Sequence, residues 1–270
     1  PDSRSSNRVS DIVVLGMPSY GGGIRPEAGA AFWRPSTESR PVARKVGMGS
    51  LLCRNFNDLW CFARNLKAKG EPVRYFAMLH DDIAPEGRYW LDDLIGELDS
   101  GGFDVMGVPM PIKDDRGVMS CGLADPDPAT KFDLPACFTT RAMQELPTTF
   151  DAAGIGYPDK VLLINTGLWV CRFDADWVND IVFATDDGIR RNPTTGELEA
   201  VVQSEDWHFS RQLHAKGLKV GLTKAIKARH FGTYAFPNYA AWGVESRAMP
   251  GRRDADEPIR DGRGETRDAA

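Results

Sequence analysis

Three groups of residues in this 270-residue chain have the types and spacing to do chemistry. The first is His80-Asp81-Asp82, which ends an apolar run over residues 75–79. The second is Glu205-Asp206, between Ser204 and Trp207. The third is Arg229-His230. Adjacent acids are costly unless a cation or a partner offsets their charge. Oxygen ligands at a strand end suit Mg²⁺ or Mn²⁺, and those ions suit phosphate-bearing substrates. A separate carboxylate can take a proton from an attacking hydroxyl. Each group also has a plainer account. His80-Asp81-Asp82 can be a solvated turn, and Glu205-Asp206 can serve the first turn of a helix capped by Ser204.

The elements that must position these groups read as alternating strands and helices, the pattern of an α/β domain with a mixed, mainly parallel sheet. Residues 11–16 form a first buried strand. Residues 75–79 are apolar throughout, as in a strand buried on both faces, and ligands bind where such strands end. Residues 50–69 have the apolar period of a helix, with Ser50 as N-cap and Gly70 beyond its C-terminus. Helices are also expected at about 88–98, from Asp174 to about 183, and over 204–216. Strands are expected at 103–108, 161–164, 168–171, 218–222 and 225–228, with Arg229-His230 following the last. Residues 24–49 and 121–136 read as irregular, and the polar segment 186–199 as a mobile loop. The expected division is a flexible segment at 1–10, one domain at 11–240 and a polar tail at 241–270.

Other residues border the same sheet edge. Pro18, Ser19 and Tyr20 follow the first strand and precede three glycines, a turn that can turn backbone N–H groups toward phosphate. It is neither a Walker loop nor GxGxxG. Arg54 and Asn55 lie on the first turns of the helix at 50–69. These residues, with His80 and Asp81, are candidates for holding a nucleotide donor.

The net charge of −5 is unevenly spread: residues 1–74 carry 12 Lys+Arg against 6 Asp+Glu, and the remainder 21 against 32. The basic quarter, with Arg25, Arg34, Arg40, Arg44 and Lys45, is the side expected to meet an anion. The five cysteines have no CxxC spacing. Cys53 and Cys61 share a helix but stand about 12 Å apart, too far for a disulfide. Free thiols, with no signal peptide and no membrane-spanning run in this sequence, lead to the expectation of a cytoplasmic protein.

The order and context of the three groups resemble a GT-A-type glycosyltransferase, family-2-like, across roughly residues 11–240. The resemblance implies a metal-dependent, inverting transfer of a sugar from a nucleoside-diphosphate sugar, foremost a UDP-sugar, to a hydroxyl. It implies Mn²⁺ or Mg²⁺ held by Asp82, His230 and His80, although His80 stands where the family has the first acid. It makes Asp206 the general base with Glu205 beside it, and puts Asn165, Thr166, Gly167 and Trp207 on the acceptor side. The expected acceptor is a hydroxymethylated DNA base, a glycan or a small molecule. Gly21–Pro26 also resembles the glycine-arginine loop of sugar-nucleotide pyrophosphorylases. A non-catalytic module binding a sugar nucleotide is the other alternative.

Overall fold

The computed structural model describes residues 11–245, apart from Gly22 and Ser39. In chain order the elements begin β1 (Ile12–Ser19), α1 (Pro26–Trp33), β2 (Val42–Met48), α2 (Leu52–Ala68), β3 (Val73–Leu79), β4 (Ile83–Pro85), α3 (Trp90–Ser100) and β5 (Val105–Gly107). There follow β6 (Val118–Ala124), β7 (Ala136–Thr139), α4 (Thr140–Glu145), β8 (Thr149–Phe150), β9 (Val161–Leu163) and β10 (Leu168–Arg172). The described chain continues with β11 (Asp186–Arg191), β12 (Leu198–Gln203), α5 (Glu205–Ala215), β13 (Val220–Thr223), β14 (Ala228–Phe231) and β15 (Ala235–Pro237).

Seven strands form the central sheet in the order β2-β1-β3-β10-β5-β13-β8. β1 runs parallel to β2 and β3, and β5 runs parallel to β13. β10 enters antiparallel between β3 and β5, and β8 is antiparallel to β13. The protein is therefore mixed α/β, with a mixed parallel and antiparallel sheet flanked by helices.

Alternation along the central strands sorts two cores. Val13, Leu15, Met17, Tyr75, Ala77, Leu79, Leu168 and Val170 face α1 and α3, meeting Phe32, Trp90, Leu94 and Leu98. Val14, Phe76, Met78, Trp169 and Cys171 face α2 and α5, meeting Phe56, Leu59, Trp60, Phe209 and Leu213. Both faces are buried, which is why β1 and β3 read as continuous apolar runs.

Several expectations are corrected. Residues 24–49 are not irregular: they hold α1 and β2, whose VARKVGM sequence hides a strand because an edge strand tolerates charge. Residues 186–199 are mostly the β11–β12 hairpin, whose turn is closed by Asn192 and Gly196. Residues 121–136 include most of β6. The helix expected from Asp174 is a short 3-10 turn at Asp176–Asp180. Ser50 does not cap α2, since Leu51 holds that position, and the Ser204 side chain makes no capping bond to α5. His230 lies within β14 rather than after a strand, and β14 pairs with β4.

The five cysteines are free, as expected. Of the expected tail, residues 241–245 fold back on the chain: Val244 and Glu245 donate backbone N–H groups to Asp115 and Arg116 carbonyls at 3.1 and 3.0 Å. The segments 1–10 and 246–270 lie outside the described residues. No helix among the described residues is long and apolar enough to cross a membrane.

Candidate active site

Antiparallel pairing of β10 with β3 opposes Leu168 to Leu79, so the turn at 165–167 arrives beside the end of β3. The His80 N–H donates to the Gly167 carbonyl at 2.8 Å, which ties the two segments. Gly167 has no room for a side chain, because a Cβ would run into Ile83 and sit 2.5 Å from Asn165 Oδ1.

On the Asp82 side, β14 pairs with β4 and brings His230 opposite Ile83. His230 Nε2 lies 3.4 Å from Asp82 Oδ2. His230 Nδ1 lies 2.7 Å from the Pro111 carbonyl, and a carbonyl can only accept, so Nδ1 carries a proton. Lys113 Nζ donates to Asp82 Oδ2 at 2.5 Å. Burial would raise the Asp82 carboxyl, but the His230 and Lys113 contacts outweigh it and hold it well below the usual range. Asp82 Oδ1 and His80 Nε2 are buried and unpartnered. Burial lowers the His80 imidazole to about 4, so its ring is neutral at physiological pH.

On the Asp206 side, Thr166 donates both its N–H, at 3.2 Å, and its hydroxyl to Asp206 Oδ1. Asn165 Nδ2 donates to Asp206 Oδ2 at 3.2 Å and to Ser120 Oγ at 3.1 Å. Asn165 Oδ1 accepts from the Gly167 N–H at 2.7 Å. These bonds favour the carboxylate, yet desolvation and the neighbouring Glu205 push Asp206 up to about 7. Burial also raises the Glu205 carboxyl. At Asp206 loss of water therefore outweighs a helix-terminus effect of roughly 1 kcal/mol.

The remaining candidates divide. Pro18 and Ser19 end β1, paired with Gly47 and Met48 of β2, and Tyr20 beyond them is exposed. The Ser19 hydroxyl is close enough to Asp81 to hold its acidity partly up but makes no well-formed bond, so burial raises the Asp81 carboxyl on balance. Asn55 is buried, with its amide donating to the Ser19 and Gly49 carbonyls at 3.3 and 3.1 Å, so it braces the β1 and β2 ends. Arg54 pairs with Asp58 on the exposed side of α2. Trp207 packs against Ala124, Val161 and Leu163.

Two arginines of the basic segment expected at 24–49 are spent on internal ties. Arg44 donates to the Phe32 and Arg34 carbonyls and to Ser36, and Arg40 pairs with Asp92. Sequence reasoning missed Lys113 and Ser120 as parts of the site. Lys113 opens the charged stretch Lys113-Asp114-Asp115-Arg116, and nothing local marks its reach to Asp82.

The residues near Asp82 suit a divalent cation that shares its shell with phosphate. Such an ion needs only one or two protein carboxylates, because water and phosphate oxygens fill the other positions. A ligating histidine commonly donates its second ring N–H to a backbone carbonyl, as His230 does to Pro111. The unpartnered Asp82 Oδ1 is a further free donor atom. Among the described residues no group of three or more His, Cys, Asp or Glu is arranged to hold a metal by itself.

No family model matches this chain. No curated protein matches it. Among solved structures, the crystal structure of A197 from STIV is similar at 12% identity and TM-score 0.43, over 82% of this chain and 85% of that one.

Proposed function

We propose that the protein is a glycosyltransferase with a GT-A-like fold, moving a sugar from a nucleoside-diphosphate sugar to an acceptor hydroxyl with inversion. The observation that carries this reading is the pair of carboxylates at one sheet edge, joined through the His80–Gly167 hydrogen bond and held in opposite electrostatic states. One is kept ionised beside a histidine, as a cation–diphosphate site requires. The other has a proton affinity near neutral, as a general base requires.

The roles follow from that division. Asp82 and His230, with His80 adjacent, would hold Mn²⁺ or Mg²⁺. A divalent ion bound there would offset charge on the departing diphosphate. Asp206 accepts the proton of the acceptor hydroxyl as its oxygen bonds to the anomeric carbon and the bond to phosphate breaks. Thr166 and Asn165 fix the direction of the Asp206 carboxylate, and Glu205 raises its basicity. The Ser19–Tyr20 rim and Asp81 are the donor side, and UDP is the first nucleotide to try.

The internal ties of Arg40 and Arg44 favour a glycan or small-molecule acceptor over hydroxymethylated DNA, since a phosphate-binding loop needs free cationic heads. The test is a thermal-shift panel of nucleoside diphosphates and their sugars with Mn²⁺, followed by transfer assays on an uncharged sugar acceptor and on hydroxymethylated DNA. A donor that raises Tm and yields an inverted glycoside supports the reading. Release of pyrophosphate from a nucleoside triphosphate and a sugar phosphate would replace it with a pyrophosphorylase. Donor binding without turnover would leave a binding module.

A further inference from the structure

The ion pair between Lys113 and Asp82 has no part in the chemistry above, yet it occupies the atom that chemistry needs. Lys113 Nζ and His230 Nε2 approach the same oxygen, Asp82 Oδ2, at 2.5 and 3.4 Å. The other oxygen, Oδ1, is buried without a partner. The lysine stem is laid along Gly232, where a Cβ would stand 3.1 Å from Lys113 Cβ and 3.3 Å from its Cδ. The Gly232 carbonyl accepts from Arg25 Nη2 at 3.0 Å, so a second cationic side chain borders the same place. The Lys113 side chain is 39% exposed, and its end can swing on a flexible four-carbon stem.

Two cations on one carboxylate oxygen repel each other. A divalent ion at Asp82 therefore competes with the Lys113 ammonium. An incoming diphosphate offers that ammonium another anion within the same site. We propose that Lys113 is an exchangeable cation: it neutralises Asp82 in the empty site, yields Asp82 to a divalent ion, and moves onto the phosphates of the arriving diphosphate. This rests on the donor class proposed above, and it adds Lys113 as a donor-positioning residue.

The exchange predicts effects of opposite sign on two simple probes. Titration calorimetry would measure Mn²⁺ alone and inorganic pyrophosphate alone on the wild-type chain, Lys113→Met and Lys113→Arg. Lys113→Met keeps the stem and should bind Mn²⁺ about fivefold more tightly, the effect of removing a competing half-exposed ion pair. The same variant should bind pyrophosphate roughly tenfold more weakly, through loss of a charge-assisted contact. Lys113→Arg should retain most of the wild-type pyrophosphate affinity. Loss of both affinities in Lys113→Met, or no change in either, overturns the exchange while leaving the transferase reading intact. Opposite shifts in a protein that transfers no sugar would sustain the exchange and remove the transferase reading. A wild-type chain that binds neither probe overturns both.

Discussion

Asp82 and Asp206 stand at one edge of one sheet, and their surroundings treat them in opposite ways. Both lose water, and for both that loss favours the protonated acid. At Asp82 a histidine and a lysine more than reverse the effect. At Asp206 the compensation comes from neutral donors, Thr166 and Asn165, while Glu205 adds a like charge. The lysine and histidine contacts outweigh desolvation at Asp82, and the neutral donors at Asp206 do not. Two acids of the same type are thereby pushed in opposite directions, Asp82 toward the anion and Asp206 toward the protonated acid.

The sharpest way to break the comparison is to remove proton exchange at Asp206 while keeping its shape. Asp206→Asn should lower kcat by on the order of 10²–10⁴ with little change in donor affinity. Unchanged turnover in a steady-state assay would show that Asp206 is not the base. The same substitution should affect stability in a defined direction. A carboxyl whose pKa is raised on folding binds more protons folded than unfolded, so the wild type loses stability as pH rises from about 4 to about 7. Asp206→Asn should therefore gain more in Tm over wild type at pH 8 than at pH 5.

Removing the anion should act on binding instead. Asp82→Ala should abolish Mn²⁺-assisted donor binding in calorimetry, and His230→Ala should weaken it. Donor binding that is equal with and without EDTA would overturn the cation role. Gly167→Ala should disturb both halves at once, because its new methyl meets Ile83 and Asn165 beside the His80 tie. A loss of about 1–3 kcal/mol is expected in denaturant unfolding, together with reduced donor binding.

The smallest effect sharpens the comparison most. Thr166→Val removes a hydroxyl that favours the Asp206 carboxylate. A hydrogen bond to a charged group is worth about 1.5–3 kcal/mol, so the basic form should appear about one to two pH units higher. The rising limb of kcat against pH should move up by that amount, with its plateau at high pH retained. A limb that stays in place would mean that another group titrates.

The amino-acid sequence determined by itself what depends on near neighbours. The apolar runs of β1 and β3, the helical period of α2 and the placement of acids at element ends are local patterns. So are the candidate groups His80-Asp81-Asp82, Asn165-Thr166-Gly167, Glu205-Asp206 and His230. Elements whose stability comes from pairing were hidden: β2 carries charges that only its alignment with β1 accommodates, and the β11–β12 hairpin buries little of its own. Tertiary structure alone decided that Lys113 reaches Asp82 across 31 residues and that Thr166 reaches Asp206 across 40. It also decided the ionisation of both acids. Desolvation and charge pairing depend on what surrounds a carboxyl in space, and chain order does not encode that distance.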